Sequence, residues 1–158
     1  MDLICNHDED DIITVAFTID EVKRFNTYIN MIEGIGYTDD ISLEFNLFHS
    51  KYVVLIKKFC KSISSLSENE IKTMMFYPGE KVEFLRELEL AELLQLFQCC
   101  NYFDFKEMQA TTGRLIASKT KDMKVEDIAK IVDVHYDSKS KEREEIKSKF
   151  GRYDGLIY

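Results

Sequence analysis

The stretch that most constrains this chain is Glu87–Lys106, ELELAELLQLFQCCNYFDFK. Leu90, Leu93, Leu94, Phe97 and Cys100 recur at three- and four-residue steps, which stacks them on one face of an amphipathic helix. The helix then ends in a polar and aromatic corner, Asn101-Tyr102-Phe103-Asp104. A helix that is all core does not usually finish in Asn-Tyr, so this segment predicts a buried face and an exposed corner together. The other elements have to cover that face and leave the corner in solvent.

Ahead of it, Leu3–Cys5 and Ile12–Phe17 read as two short strands joined by the acidic turn His7–Asp11. Ile13, Val15 and Phe17 alternate with Thr14 and Ala16. Thr18 and Glu21 have the spacing of a capping box, which starts a helix with Val22, Phe25, Tyr28, Ile29 and Ile32 on one face. Asn26-Thr27 is a break point within it, and Gly34 and Gly36 supply its stop. After the turn at Asp39-Asp40, Ile41–Leu47 alternates strictly and predicts a third strand. His49–Lys61 predicts a helix with Tyr52, Leu55, Ile56 and Phe59 inward and Lys51, Lys57, Lys58 and Lys61 outward. Residues 62–82 read as a loop between a front and a back half, although Ser67 and Glu70 fit a second capping box. The back half reads as helical: Glu83–Phe103, Phe105–Ser118, Val125–Val132 and the highly charged Lys139–Phe150. That last segment has only Ile146 and Phe150 as an apolar stripe, so it is a marginal tail or an element ordered by a partner.

Charge narrows the function classes. The net charge is −8, and residues 1–45 carry eleven Asp and Glu against Lys23 and Arg24 alone. An acidic front repels phosphate and argues against nucleic acid as a partner. The acidic start, MDLICNHDEDD, matches neither a secretory signal nor a transit peptide, and no apolar run reaches membrane-span length. A cytoplasmic and also nuclear location is expected, with no membrane partner. Of the four cysteines, Cys5, Cys60, Cys99 and Cys100, none forms a C-x-x-C pair. They read as reduced packing residues, since helix neighbours such as Cys99-Cys100 diverge by about 100° and do not clamp a metal. His7, His49 and His135 are isolated, and no nucleophile-elbow, phosphate-loop or dinucleotide motif is present. No metal, cofactor or catalytic residue is assigned. Cys60, beside Lys57, Lys58 and Lys61, is the one thiol with cations nearby in sequence.

A family resemblance enters at Leu94–Met108, LQLFQCCNYFDFKEM. This segment resembles LxLAANYLDIKxL of the S-phase kinase-associated (Skp-like) adaptors of SCF-type ubiquitin ligases. Cys99-Cys100 stands where the family has a small Ala-Ala pair. Asn101-Tyr102 is unchanged, Phe103 replaces Leu, and Asp104 and Lys106 are kept around Phe105. Ile29–Gly36 is similar to KTMLEDLG, Phe59-Cys60 falls at the family's Trp-Cys, Val125-Glu-Asp-Ile128 resembles PEEI, and Val134 sits at a family Ile. Lys141–Lys149 parallels the acidic last helix. The likeness covers roughly residues 12–60 and 83–153. The chain departs from the pattern at Val125, which replaces a proline, in the shorter 62–79 loop, and in lacking any Trp. The family's C-terminal Trp falls at Arg152 or Tyr153.

The resemblance implies an α+β protein: a BTB/POZ fold with a small three-stranded sheet over residues 1–104, then a C-terminal helical extension over 105–158. It implies a non-catalytic adaptor in ubiquitin-dependent degradation, with a cullin scaffold and F-box proteins as partners. Asn101 and Tyr102 would touch the cullin. Leu115, Ile116, Val125, Ile128, Val132 and Val134 would form the F-box groove, by apolar helix-in-groove burial. Residues alone leave Tyr102 open to a second role, a helix-end tyrosine anchoring its own core. Two competing functions stand beside the adaptor: a BTB self-association or decoy module that binds cullin without an F-box and forms a weak homodimer, and a thiol enzyme at Cys60 or Cys99-Cys100.

Overall fold

The computed structural model describes residues 2–5, 13–35, 42–45 and 48–131. The turn His7–Asp11, Gly36, the Asp39-Asp40 turn, Val132, Val134 and the Lys139–Phe150 helix lie outside these residues. Helix dominates what is described. Three four-residue strands, β1 (Asp2–Cys5), β2 (Ile13–Ala16) and β3 (Ser42–Phe45), pair in the order β2-β1-β3. β1 is antiparallel to β2, with Asp2 opposite Ala16, and parallel to β3, with Asp2 opposite Ser42. The expected alternation holds in part at β2: Val15 and the following Phe17 are buried and Thr14 and Ala16 exposed, but Ile13 at the strand's start is exposed too.

The front helix divides at the expected break. α1 (Ile19–Val22) is a single capped turn: the Thr18 amide donates to Glu21 Oε2 at 2.7 Å, and the Glu21 amide donates to Thr18 Oγ1 at 3.3 Å. α2 (Asn26–Ile35) follows, with Gly34 inside its last turn rather than beyond its end. α3 (Ser50–Ile63) buries Tyr52, Val53, Ile56, Phe59, Cys60 and Ile63. Leu55 is only half-buried, so the inward face lies closer to Val53 than the spacing suggested. Lys57 departs from the expectation of an outward lysine. Its ammonium bonds the Glu21 carboxylate of the α1 cap and lies 5.1 Å from the centroid of the Phe17 ring.

Two corrections apply to residues 62–103. The presumed loop holds α4 (Glu68–Phe76), started by the Ser67–Glu70 capping box and burying Ile71 and Met74. The helix expected to begin at Glu83 does not begin there. Glu80–Leu85 is a pair of 3-10 turns kinked at Val82, with Val82 and Leu85 fully buried, and α5 (Leu90–Tyr102) starts only after Glu89, whose amide donates to Glu92 Oε2 at 3.0 Å. The buried face of α5 is Leu90, Leu93, Leu96, Cys99 and Cys100. Leu94 and Phe97 lie on its half-buried flank. α5 packs on α3 and on α6 (Lys106–Thr120), and α6 packs in turn on α4. Being covered from two sides widens the apolar arc of α5 and turns it toward Leu96 and Cys99. Each fully buried leucine on it contributes about 2 kcal/mol.

The chain divides into two compact units, residues 1–121 and 122–158. The division expected at 104/105 therefore falls inside the first unit, because α6 is part of its core. In the second unit the described element is α7 (Val125–Ile131), with Glu126 and Asp127 in its first turn, Val125 and Ile131 exposed and Ala129 buried. No described helix is long and apolar enough to cross a membrane.

Candidate functional site

The corner that ends α5 is built by five aromatic rings and one left-handed residue. Phe103 is buried and Phe105 fully so. Phe105 meets Phe25 at 5.2 Å between ring centroids and Phe59 at 5.6 Å, both edge-on, and Phe25 also meets Phe103 at 5.5 Å and Phe17 at 5.3 Å. Phe25 follows α1 and Phe59 lies on α3, so the chain beyond α5 is drawn into the core between the front elements.

Between the two buried rings stands Asp104, with φ of 48°. Its amide donates to the Asn101 carbonyl at 3.1 Å, and the Phe105 amide donates to the Cys100 carbonyl at 2.9 Å. This is a Schellman helix end with aspartate in the position glycine usually takes, and with buried Phe105 and Cys100 as its apolar pair. Aspartate tolerates the left-handed region better than most residues, at some cost in backbone strain. Here its side chain is held as well: Asn26 Nδ2 donates to Asp104 Oδ2 at 3.0 Å. Beside it, Thr27 Oγ1 donates to the Tyr102 carbonyl at 2.9 Å, and Arg24 pairs with Glu107 on α6 at 3.1 Å. The α1–α2 junction thus clamps both sides of the corner.

The result separates two adjacent rings. Phe103 turns inward, while Tyr102 remains 45% exposed, edge-on to Phe103 at 5.5 Å and to half-buried Phe48 at 6.1 Å. Asn101 is exposed, and its side-chain oxygen accepts a hydrogen bond from Gln109 Nε2 at 3.0 Å. The buried aromatic anchors of the corner are Phe103 and Phe105. An exposed aromatic on a fixed backbone, with an amide beside it, is equipped for protein contact.

No family model matches this chain, and neither does any curated protein. The functional reading therefore rests on the residues and their geometry.

Four of the six positions expected to form an F-box groove are described. Leu115 is buried in the core of the first unit and Ile116 packs half-buried against that core. Val125 is exposed and Ile128 half-buried on α7, while Val132 and Val134 lie outside the described residues. The thiols are deep. Burial, with the Glu21 carboxylate adding to it, pushes the Cys60 thiol up to about 12, and burial raises Cys100 well above the ordinary thiol range. The flanking lysines do not overcome desolvation, so Cys60 has the reverse of the environment that activates a nucleophile. Among the described residues no cluster of His, Cys, Asp and Glu is arranged to hold a metal ion.

Asn26, Thr27 and Phe48 are the contributors sequence reading missed. Asn26-Thr27 carried a signal only as a helix break. Its partners Tyr102 and Asp104 lie more than seventy residues away, and nothing local points to them.

Proposed function

We propose that this chain is a non-catalytic, Skp-like adaptor with a BTB/POZ-type core that bridges a cullin scaffold to F-box substrate receptors in an SCF-type ubiquitin ligase. The observation that carries the reading is the corner. The segment resembling the family's most specific motif ends α5 with its Asn-Tyr pair in solvent and its two phenylalanines in the core. Such a corner offers a cullin an aromatic anchor whose backbone is already fixed, which lowers the entropy lost on docking. The small sheet and the order of strands and helices agree with the BTB/POZ arrangement that the resemblance implies. A cytoplasmic or nuclear place of action follows from the role.

A second reading is favoured by Leu115. Its burial in the first unit removes apolar surface from the expected F-box groove. On that reading the chain docks cullin through the corner and takes no F-box, acting as a decoy. One experiment tests both. The full chain is offered the N-terminal domain of a cullin and, separately, an isolated F-box domain, with the Tyr102→Ala variant alongside. The adaptor binds both, with Tyr102→Ala weakening the cullin alone. Cullin binding without F-box binding selects the decoy. Failure to bind any cullin tested sinks both.

A further inference from the structure

α4 ends in Phe76-Tyr77, and both rings stand in solvent, 58% and 79% exposed. They line a groove of about 520 Å³ that runs to the last turns of α6 and has buried Leu115 in its wall. Among the described residues, three cations, Arg86, Arg114 and Lys119, and no carboxylate line the same groove. Arg114 is held with its guanidinium carbon 5.3 Å from the centroid of the Phe76 ring. Arg86 is fixed by the Pro78 carbonyl and by Glu83 at 3.3 Å. Neither Arg114 nor Lys119 pairs with a carboxylate of the described residues. On a chain of net charge −8, a groove whose described charged residues are all cations is a local reversal of sign.

We propose that this groove docks an acidic peptide segment with an apolar anchor residue. Charge complementarity selects the occupant. Carboxylates of the peptide meet Arg114 and Lys119, and the anchor side chain covers Phe76 and Tyr77, removing apolar ring surface from water. Arg114 and Arg86 are already positioned, so little rotamer freedom is lost on binding. Single-stranded nucleic acid also uses cations and exposed rings. Three cations match the few charges of a short acidic segment, however, and fall short of the long phosphate run that nucleic-acid binding neutralises. The groove shares Leu115 with the expected F-box positions but no residue with the Asn101–Tyr102 corner. It lies eight or more residues along α6 from Lys106, about 12 Å along the helix axis, so the proposal stands apart from the cullin-docking reading.

The test uses the full chain and a short fluorescein-labelled peptide of aspartates and glutamates around one central phenylalanine, followed by fluorescence anisotropy. Saturable binding with a dissociation constant on the order of 10–100 μM is expected. Lys119→Glu and Tyr77→Ala should each weaken it about tenfold, while Lys61→Glu on α3 and Tyr102→Ala leave it unchanged. Both groove substitutions are at exposed side chains, and a circular dichroism melt confirms that each variant is folded. The proposal is overturned by absence of saturable binding up to about 1 mM peptide, by parental affinity in both groove variants, or by an oligothymidine of equal charge binding as tightly as the peptide.

Discussion

Replacing Tyr102 by alanine separates a contact residue from a core anchor, and the structure sets the magnitude. The ring is 45% exposed, so about half of the roughly 2 kcal/mol of a fully buried side chain is at stake. Its edge contacts with Phe48 and Phe103 add about 0.5 kcal/mol each. The Thr27 hydrogen bond goes to the backbone carbonyl and survives the substitution. Tyr102→Ala should therefore cost about 1–2 kcal/mol, read as a lower urea midpoint and a melting temperature lower by about 2–6 °C. Phe103→Ala, one residue on, removes a buried ring and should cost about 3–5 kcal/mol. In the cullin assay the order inverts: Tyr102→Ala should lose about 2 kcal/mol of binding, near thirtyfold, while remaining folded. If Tyr102→Ala destabilises as much as Phe103→Ala, the tyrosine is a core anchor and the docking role has no basis. If it binds cullin like the parent, the corner is not the contact.

Asn26→Ala should cost about 1–2 kcal/mol, because it takes the donor from a half-buried carboxylate at a left-handed residue; an unchanged urea midpoint would show that the Asp104 turn sustains itself. Burial pushes the Glu21 carboxyl up, but Lys57 and the Thr18 amide outweigh it and hold the group below its ordinary value of 4.5. The stability it contributes is thus complete above that value and is lost as pH falls through the folded-state pKa, so the drop in urea midpoint from about pH 5 to about pH 3 should be smaller in Glu21→Gln than in the parent. Iodoacetamide should leave Cys60, Cys99 and Cys100 unmodified in the native protein and label all three in urea, as read by peptide mass; labelling faster than global unfolding would contradict their burial. Gly113→Ala should stabilise by about 0.5–1 kcal/mol through helix propensity, because the added Cβ meets the Phe97 ring at 3.4 Å, an ordinary contact; a net loss would show that Phe97 has no room to yield.

What was legible in the sequence is what depends on neighbours along the chain. The capping boxes at Thr18 and Ser67 need only a residue three positions on, and both form. Alternation at Val15 and Phe17 and the break at Asn26 were likewise local. The errors arose where tertiary cover decides. Glu80–Leu85 carries helix-like spacing, but over six residues a 3-10 turn and an α-turn share much of their pattern, and the three-residue step from Val82 to Leu85 suits a buried face in either. The inward face of α5 lies one strip from the expected one because leucines at 90, 93, 94 and 96 allow more than one arc, and only the packing of both α3 and α6 chooses between them. Lys57 looked like a solvated lysine until the cap carboxylate of Glu21 came within reach.

The corner shows why a short motif is more than a surface feature. Asn101-Tyr102 could be read from sequence, yet its exposure is produced elsewhere. Phe103 and Phe105 pull inward because Phe17, Phe25 and Phe59 form the pocket they fill. That pull requires the chain to reverse within one residue, which places Asp104 at φ of 48°. A non-glycine residue there is strained, and the Asn26 amide offsets the strain by binding the carboxylate. Thr27 then fixes the carbonyl of Tyr102 itself. Each link constrains the next, so the aspartate after Asn-Tyr-Phe is not a spacer. It both permits the reversal and ties it through its carboxylate to the front of the domain, and a glycine there would permit the reversal while leaving only the backbone carbonyls for Asn26 and Thr27 to hold.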